Sequence, residues 1–219
     1  MDAALAELLA GDAVTAAPRL LGSLLSVDSP EGRVSIRITE LEAYHGAADP
    51  GSHAFRGQTR RNAVMFGPPG HLYTYFTYGM HTCCNIVCSP EGVASGCLIR
   101  AGEVVEGLNL ARARRHTSRS DADLARGPGR VCVALGVTLD DGGADLATSR
   151  IRLTLGEQVP DVATGPRTGV SGPGGTEEFP WRFWVPGDPT VSPYKRHVPK
   201  TRSTVAGRAT NVPRNTSDG

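Results

Sequence analysis

Residues 34–44 read Val-Ser-Ile-Arg-Ile-Thr-Glu-Leu-Glu-Ala-Tyr, and no other stretch limits the fold so tightly. Apolar and β-branched residues recur at every second position, the period at which strand side chains share a face. Val34, Ile36, Ile38, Glu40, Glu42 and Tyr44 are therefore expected on one side. That side begins apolar and ends in two carboxylates. Leaving an ionised carboxylate unpaired in low dielectric costs on the order of several kcal/mol, so each must be paired, protonated or used. The competing account is that the strand emerges into water there, or that Arg37 or another arginine neutralises it. Ser29-Pro30-Glu31-Gly32 marks a turn between this strand and Ser23 to Val27. Leu72 to Val87 reads as two further strands around a glycine turn, with Tyr78 and Met80 at the tip. Hairpin tips are normally polar, so large amphipathic side chains there imply something to be touched.

The remaining chain supplies helices and loops. Leu5, Leu8 and Leu9 fall at helical spacing in residues 2–10, and Pro18-Arg19-Leu20-Leu21 before Gly22 reads as a short helix with a glycine stop. His45 to Gly70 is irregular and carries Arg56, Arg60 and Arg61; a loop of that length inside a domain is functional or disordered. Gly96 to Ala101 reads as a strand delivering Arg100 at its end. Glu103 to Arg115 reads as a helix with arginines towards its C-terminus, where cations complement the dipole. Gly127-Pro128-Gly129-Arg130 precedes a short apolar helix, Val131 to Leu135, closed by Gly136. Residues 149–156 and 181–186 read as strands. Residues 1–198 are expected to form a single domain, and 199–219 a polar, disordered tail.

With 219 residues the chain is long enough to bury a core, and a formal net charge of +1 means that any basic surface must be local. Five cysteines is an odd number, two of them adjacent; with no leader-like or long apolar run, this predicts reduced thiols in a cytoplasmic protein and no membrane partner. Cys83, Cys84, Cys88 and Cys97 with His81 invite a zinc site. Adjacent strand residues point to opposite faces and no CxxC pair exists, so neither metal nor cofactor is expected.

Thr39-Glu40-Leu41-Glu42-Ala43-Tyr44, His53, Gln58-Thr59-Arg60-Arg61-Asn62, Met65-Phe66, Tyr73-x-Tyr75-x-x-Tyr78-Gly79-Met80, Asn85 and Leu98-Ile99-Arg100-Ala101 occur in this order. In order and spacing, from about Pro18 to Ser192, they resemble the alkyladenine (3-methyladenine) DNA glycosylase family. The resemblance implies an α+β fold, a single mixed domain with a curved antiparallel sheet, flanking helices and a protruding β-hairpin. It implies a monomer acting on double-stranded DNA that contains alkylated purines. Tyr78, with Met80 beside it, would intercalate where the damaged nucleotide is rotated out, which offsets part of the unstacking cost. Tyr44, His53 and Tyr75 match the pocket walls, and Asn85 matches the residue that limits entry of guanine's exocyclic amino group. If the hairpin loop is Gly79-Met80-His81, Tyr75 faces Asn85 across the pair. A two-residue Gly79-Met80 turn would put them on opposite faces, and the resemblance implies the three-residue loop.

The implied reaction is hydrolysis of an N-glycosidic bond in base excision repair, on 3-methyladenine and 7-methylguanine, with neutral lesions such as ethenoadenine or hypoxanthine as an extension of that range. Glu42 matches the general base and Arg100 the residue that orients the water. No lysine lies in the matched motifs, so no lyase step is expected. Arg56, Arg60, Arg61 and Arg130 are candidate phosphate contacts, with solvated loop charges as the alternative. Two other readings compete: a binder of damaged DNA that does not cut, and an N-glycosidase directed at RNA or nucleotides. Having both Glu42 and Arg100 counts against the first, and a duplex wedge counts against the second. Gly127-Pro128-Gly129 superficially resembles the hairpin of helix-hairpin-helix glycosylases, but a plain helix N-terminus accounts for it better. His45, Pro50, Thr77 and His81 depart from the family pattern and bear on lesion range.

Overall fold

The computed structural model describes residues 1–77 and 79–198. Two helices open the chain, α1 (Ala3–Ala10) and α2 (Ala13–Leu20), followed by strands β1 (Leu24–Ser29), β2 (Gly32–Tyr44), β3 (Leu72–Thr77), β4 (His81–Cys88) and β5 (Ser95–Glu106). Helices α3 (Leu108–Arg114) and α4 (Pro128–Leu135) and strands β6 (Ile151–Thr154), β7 (Ala163–Gly165) and β8 (Arg182–Trp184) complete it. This is a mixed α+β architecture around one eight-stranded antiparallel, unclosed sheet. The tail expected from Pro199 lies outside the described residues, as does Tyr78.

β2 is the spine. Along one edge it pairs with β5; along the other its first half pairs with β1 and Glu40–Glu42 pairs with β8. It therefore has no free edge, and both its faces are covered: Thr39, Leu41 and Ala43 are buried along with Val34, Ile36, Ile38, Glu40 and Glu42. The expected single face is not what forms. Ile38 pairs Gly102 and Glu40 pairs Ala101, so Thr39 is an extra residue on β2; Leu41 then pairs Ile99, so Arg100 is an extra residue on β5. The first bulge reverses the alternation. Val34, Ile36 and Ile38 accordingly share the main core with Leu41 and Ala43, while Glu40 and Glu42 are left to the other side.

α2 and α4 lie against β2, β4 and β5 and close the core. α2 starts earlier than the proline suggests, because Asp12 caps it through the amides of Val14 (2.9 Å) and Thr15 (3.0 Å), and Pro18 sits inside it. α4 begins at Pro128 and stops at Gly136, which is left-handed. The helix expected over 103–115 is a correction: Glu103 to Glu106 continues β5, held by pairing with Ser35 to Arg37 and by the Arg37–Glu103 ion pair at 2.8 Å. The β-branched Val104 and Val105 suit that strand, and the helical pattern begins only beyond them. The helix starts only after Gly107, whose φ is 72° and whose Cβ, if it had one, would strike the Arg33 carbonyl.

β3 and β4 form the hairpin, with Thr77 opposite His81, so its three-residue connection is 78–80 and not 79–81. Asn85 consequently lies opposite Tyr73 and Tyr75 lies opposite Cys83. The slip is two residues, so Tyr75 and Asn85 keep the same face, as diagonal neighbours. Among the described residues no helix is long and apolar enough to cross a membrane.

Candidate active site

Both carboxylates of β2 are fully buried, each held by arginine. The bulge on β5 aims Arg100 between them: its Nε donates to Glu40 Oε1 (3.2 Å) and its Nη1 lies 3.2 Å from Glu42 Oε2. From β8, Arg182 Nε donates to Glu40 Oε1 at 2.6 Å, and the Ser192 amide donates to Glu40 Oε2 at 2.7 Å. Glu42 has two further donors, the Tyr44 hydroxyl to Oε2 (2.9 Å) and the Thr168 amide to Oε1 (2.6 Å). A carboxylate offers about four acceptor directions, so three are filled and one remains. Burial works against the charge on Arg100, but Glu42 and Glu40 more than offset it, and the guanidinium is held firmly protonated.

Behind Tyr44 lies a second buried pair. Arg167 and Asp49, both fully enclosed, meet in two parallel bonds of 2.6 Å. Arg167 also donates to the carbonyls of Ala43 and Gly174, and its guanidinium carbon sits 4.5 Å from the Tyr44 ring centroid. The Gly172 to Gly175 loop thereby wraps Arg167. A Cβ on Gly51 would come within 2.6 Å of its Nη2, so these loops close over the ion pair only without side chains at the contact.

In front of these groups is a cleft of about 300 Å³. Tyr44, His53, Tyr75, Asn85 and Arg100 line it, which brings together the pocket residues expected from sequence; Met65, Tyr73 and residues 168–171 complete it. Glu42 stands behind its holders Tyr44, Arg100 and Thr168. Asn85 is buried and its amide donates to the Tyr73 carbonyl at 3.2 Å. His53 meets Tyr75 edge-on, with centroids 4.6 Å apart, and its Nδ1 is 3.3 Å from the Tyr73 hydroxyl. The irregular loop that carries His53 is pinned by Asn62, whose amide donates to the His53 carbonyl (3.0 Å) and the Gly57 carbonyl (3.1 Å).

Apart from Arg100, the histidine, tyrosines and thiol of the cleft are held uncharged. His53 is exposed at the rim, yet desolvation of the ring edge packed on Tyr73 and Tyr75, with Arg61 adding to it, lowers it below the usual 6.5. Burial raises Tyr44 and Tyr75, and Glu42 acts in the same direction on both. It also pushes the Cys83 thiol up to about 11. All five cysteines are buried and free, and among the described residues no three His, Cys, Asp or Glu side chains gather as a metal site.

At the rim, Met80 is 67% exposed at the hairpin end. Arg56 and Arg60 are exposed. Arg61 is also exposed and donates to the Phe76 carbonyl at 3.0 Å, tying the loop to the hairpin, whereas Arg130 is ion-paired with Asp123. Sequence reasoning missed Arg182, Arg167, Asp49 and Thr168. For Arg182 a signal existed, a lone charge in the run Trp181-Arg182-Phe183-Trp184; Arg167 and Asp49 stand in irregular loops that carry no periodicity.

The model of the family described as methylpurine-DNA glycosylase matches residues 7–189. A protein of Leifsonia xyli named "Putative 3-methyladenine DNA glycosylase" is 60% identical over 186 residues, covering 83% of this chain and 87% of its own. Proteins of the same name from Streptomyces avermitilis and Mycobacterium leprae are 53% and 45% identical, covering 90% and 87% of this chain and 94% and 89% of their own.

Proposed function

The chain belongs to the methylpurine-DNA glycosylase family, hydrolases that cleave the N-glycosidic bond in DNA, and on that premise we propose that it is a monofunctional glycosylase for 3-methyladenine and 7-methylguanine in duplex DNA. Ethenoadenine and hypoxanthine are the neutral extension of that range. The observation that carries the reading is the Glu42–Arg100 pair set directly behind an aromatic cleft.

In this reading the damaged nucleotide leaves the stack and its base enters between Tyr44 on one side and Tyr75 with His53 on the other, while Tyr78 and Met80 occupy the vacated space. An alkylated purine that carries positive charge stacks favourably on tyrosine faces. Asn85, anchored on the Tyr73 carbonyl, narrows the cleft where guanine would place its amino group. Water takes the remaining acceptor direction of Glu42. As the C1′–N bond breaks, the base leaves with the electron pair, the water oxygen bonds C1′ from the opposite face, and Glu42 takes the proton. The carboxylate also stabilises the oxocarbenium-like sugar, and Arg100, 3.2 Å away, orients it. For a cationic base the leaving group departs neutral and needs no acid, which fits a cleft whose tyrosines, thiol and histidine are held uncharged.

The test is base release from methylated duplex DNA, resolved by chromatography, with Glu42→Gln beside the wild type. Release of 3-methyladenine by the wild type alone, with lesion binding near normal in the variant, is the expected outcome. Retardation of the duplex by both proteins without release by either would make the chain a damage binder.

A further inference from the structure

Tyr44 is a cleft wall backed by a formal charge: Arg167, buried and outside the cleft, covers a face of its ring at 4.5 Å. A base stacked on the remaining face would lie about 3.5 Å beyond the ring, roughly 8 Å from the guanidinium. That is an awkward neighbour for a cationic base. At an effective dielectric near 20, like charges at about that distance shift an equilibrium roughly thirtyfold. Asp49 is placed to cancel it. Its two oxygens meet the two outer nitrogens of Arg167 at 2.6 Å, and amides of Gly51 (2.8 Å) and His45 (3.2 Å) hold it there. Around the cleft the buried carboxylates Glu40, Glu42 and Asp49 then balance the guanidiniums of Arg100, Arg182 and Arg167.

We infer that the Asp49–Arg167 pair sets lesion preference: neutralised by Asp49, Arg167 holds Tyr44 flat without opposing a positively charged base, so the cleft keeps its affinity for cationic alkylpurines over neutral ones. The inference rests on the proposed glycosylase reading and deepens it. The pair touches no reacting atom and acts through Tyr44, so its role is to position that ring and fix the charge behind it. Its signature is therefore a ratio between lesions, which a loss of packing would leave unchanged.

The experiment measures affinity of folded protein, verified by circular dichroism, for otherwise identical duplexes carrying 7-methylguanine or hypoxanthine. Affinity is read in place of release so that slow chemistry on either lesion does not matter. Asp49→Asn should lower the ratio of 7-methylguanine to hypoxanthine affinity by roughly thirtyfold. Arg167→Met, which leaves the opposite charge, should raise it, and the double variant should return it to the wild-type value. If Asp49→Asn does not fold, the rise in Arg167→Met decides the matter. Equal weakening for both lesions in the single variants, or a ratio moving the wrong way, overturns the pair's role while leaving the glycosylase reading intact. A wild type that prefers neither lesion over undamaged duplex overturns both.

Discussion

Replacing Glu40 with glutamine isolates the charge that holds the site together. Glu40 is fully buried and accepts three bonds, from Arg182 (2.6 Å), Arg100 (3.2 Å) and the Ser192 amide (2.7 Å). Glutamine keeps the shape but offers one acceptor oxygen, so its amide nitrogen must face either the two guanidiniums or the Ser192 amide. At least one donor loses its partner, and two buried arginines lose their shared counter-charge. Hydrogen bonds to charged groups contribute about 1.5–3 kcal/mol, and breaking a buried ion pair from one side costs about 3–5 kcal/mol. A loss of about 3 kcal/mol is expected, the low end because the remaining carboxylate, Glu42, still faces Arg100. For a chain of this size that lowers Tm by about 6–12 °C. Glu103→Gln is the control, since that carboxylate is half exposed and its pair with Arg37 contributes under about 1 kcal/mol. Thermal and urea unfolding of both variants, with base release measured at a temperature where both are folded, reads the effect. A Glu40→Gln protein within about 2 °C of wild type would mean the carboxylate is solvated, and the account of a four-charge cluster would fail.

Asn85→Ser should raise release of undamaged guanine from duplex DNA, because the shorter side chain gives up the bond to the Tyr73 carbonyl and opens the cleft; unchanged guanine release would remove Asn85 from that role. His53, held below 6.5 by desolvation against Tyr73 and Tyr75 and by Arg61, is neutral at neutral pH, so its protonation, and with it repulsion of a cationic base, begins only as pH falls below that value. In stability the sign is the same: the folded protein resists the proton that the unfolded chain accepts, so stability is full above 6.5 and declines as pH falls towards the lowered value. Binding of a 7-methylguanine duplex across pH 8 to 5, with a hypoxanthine duplex as reference, should show selective loss on the acid side that His53→Gln removes. A selective loss that starts above pH 6.5 would contradict the neutral assignment.

Much of the site was legible before any tertiary contact was known. Two carboxylates at the end of an apolar alternation required partners, and the structure supplies them; Tyr75, matched to a pocket wall by the family resemblance, lines the cleft. Local chemistry was enough for the turn at Ser29 to Gly32 and for the helix between Pro128 and Gly136, because those signals act over a few residues. The face of β2 was another matter. Its alternation is broken by an unpaired Thr39 and its partner's by an unpaired Arg100, and neither bulge has a local signature, since each exists only relative to the strand opposite. Glu103 to Glu106 adjoin a helical pattern that runs on to Arg115, and their extended conformation is held by pairing with Ser35 to Arg37 some 70 positions away. Arg167 and Asp49 are 118 residues apart. Sequence by itself determined which residues could act and which short segments would turn, coil or extend. The register of β2 on β5, the convergence of three carboxylates with three guanidiniums, and the closing of the cleft were decided by the tertiary structure, because burying a charge is tolerable only where a distant partner arrives to meet it.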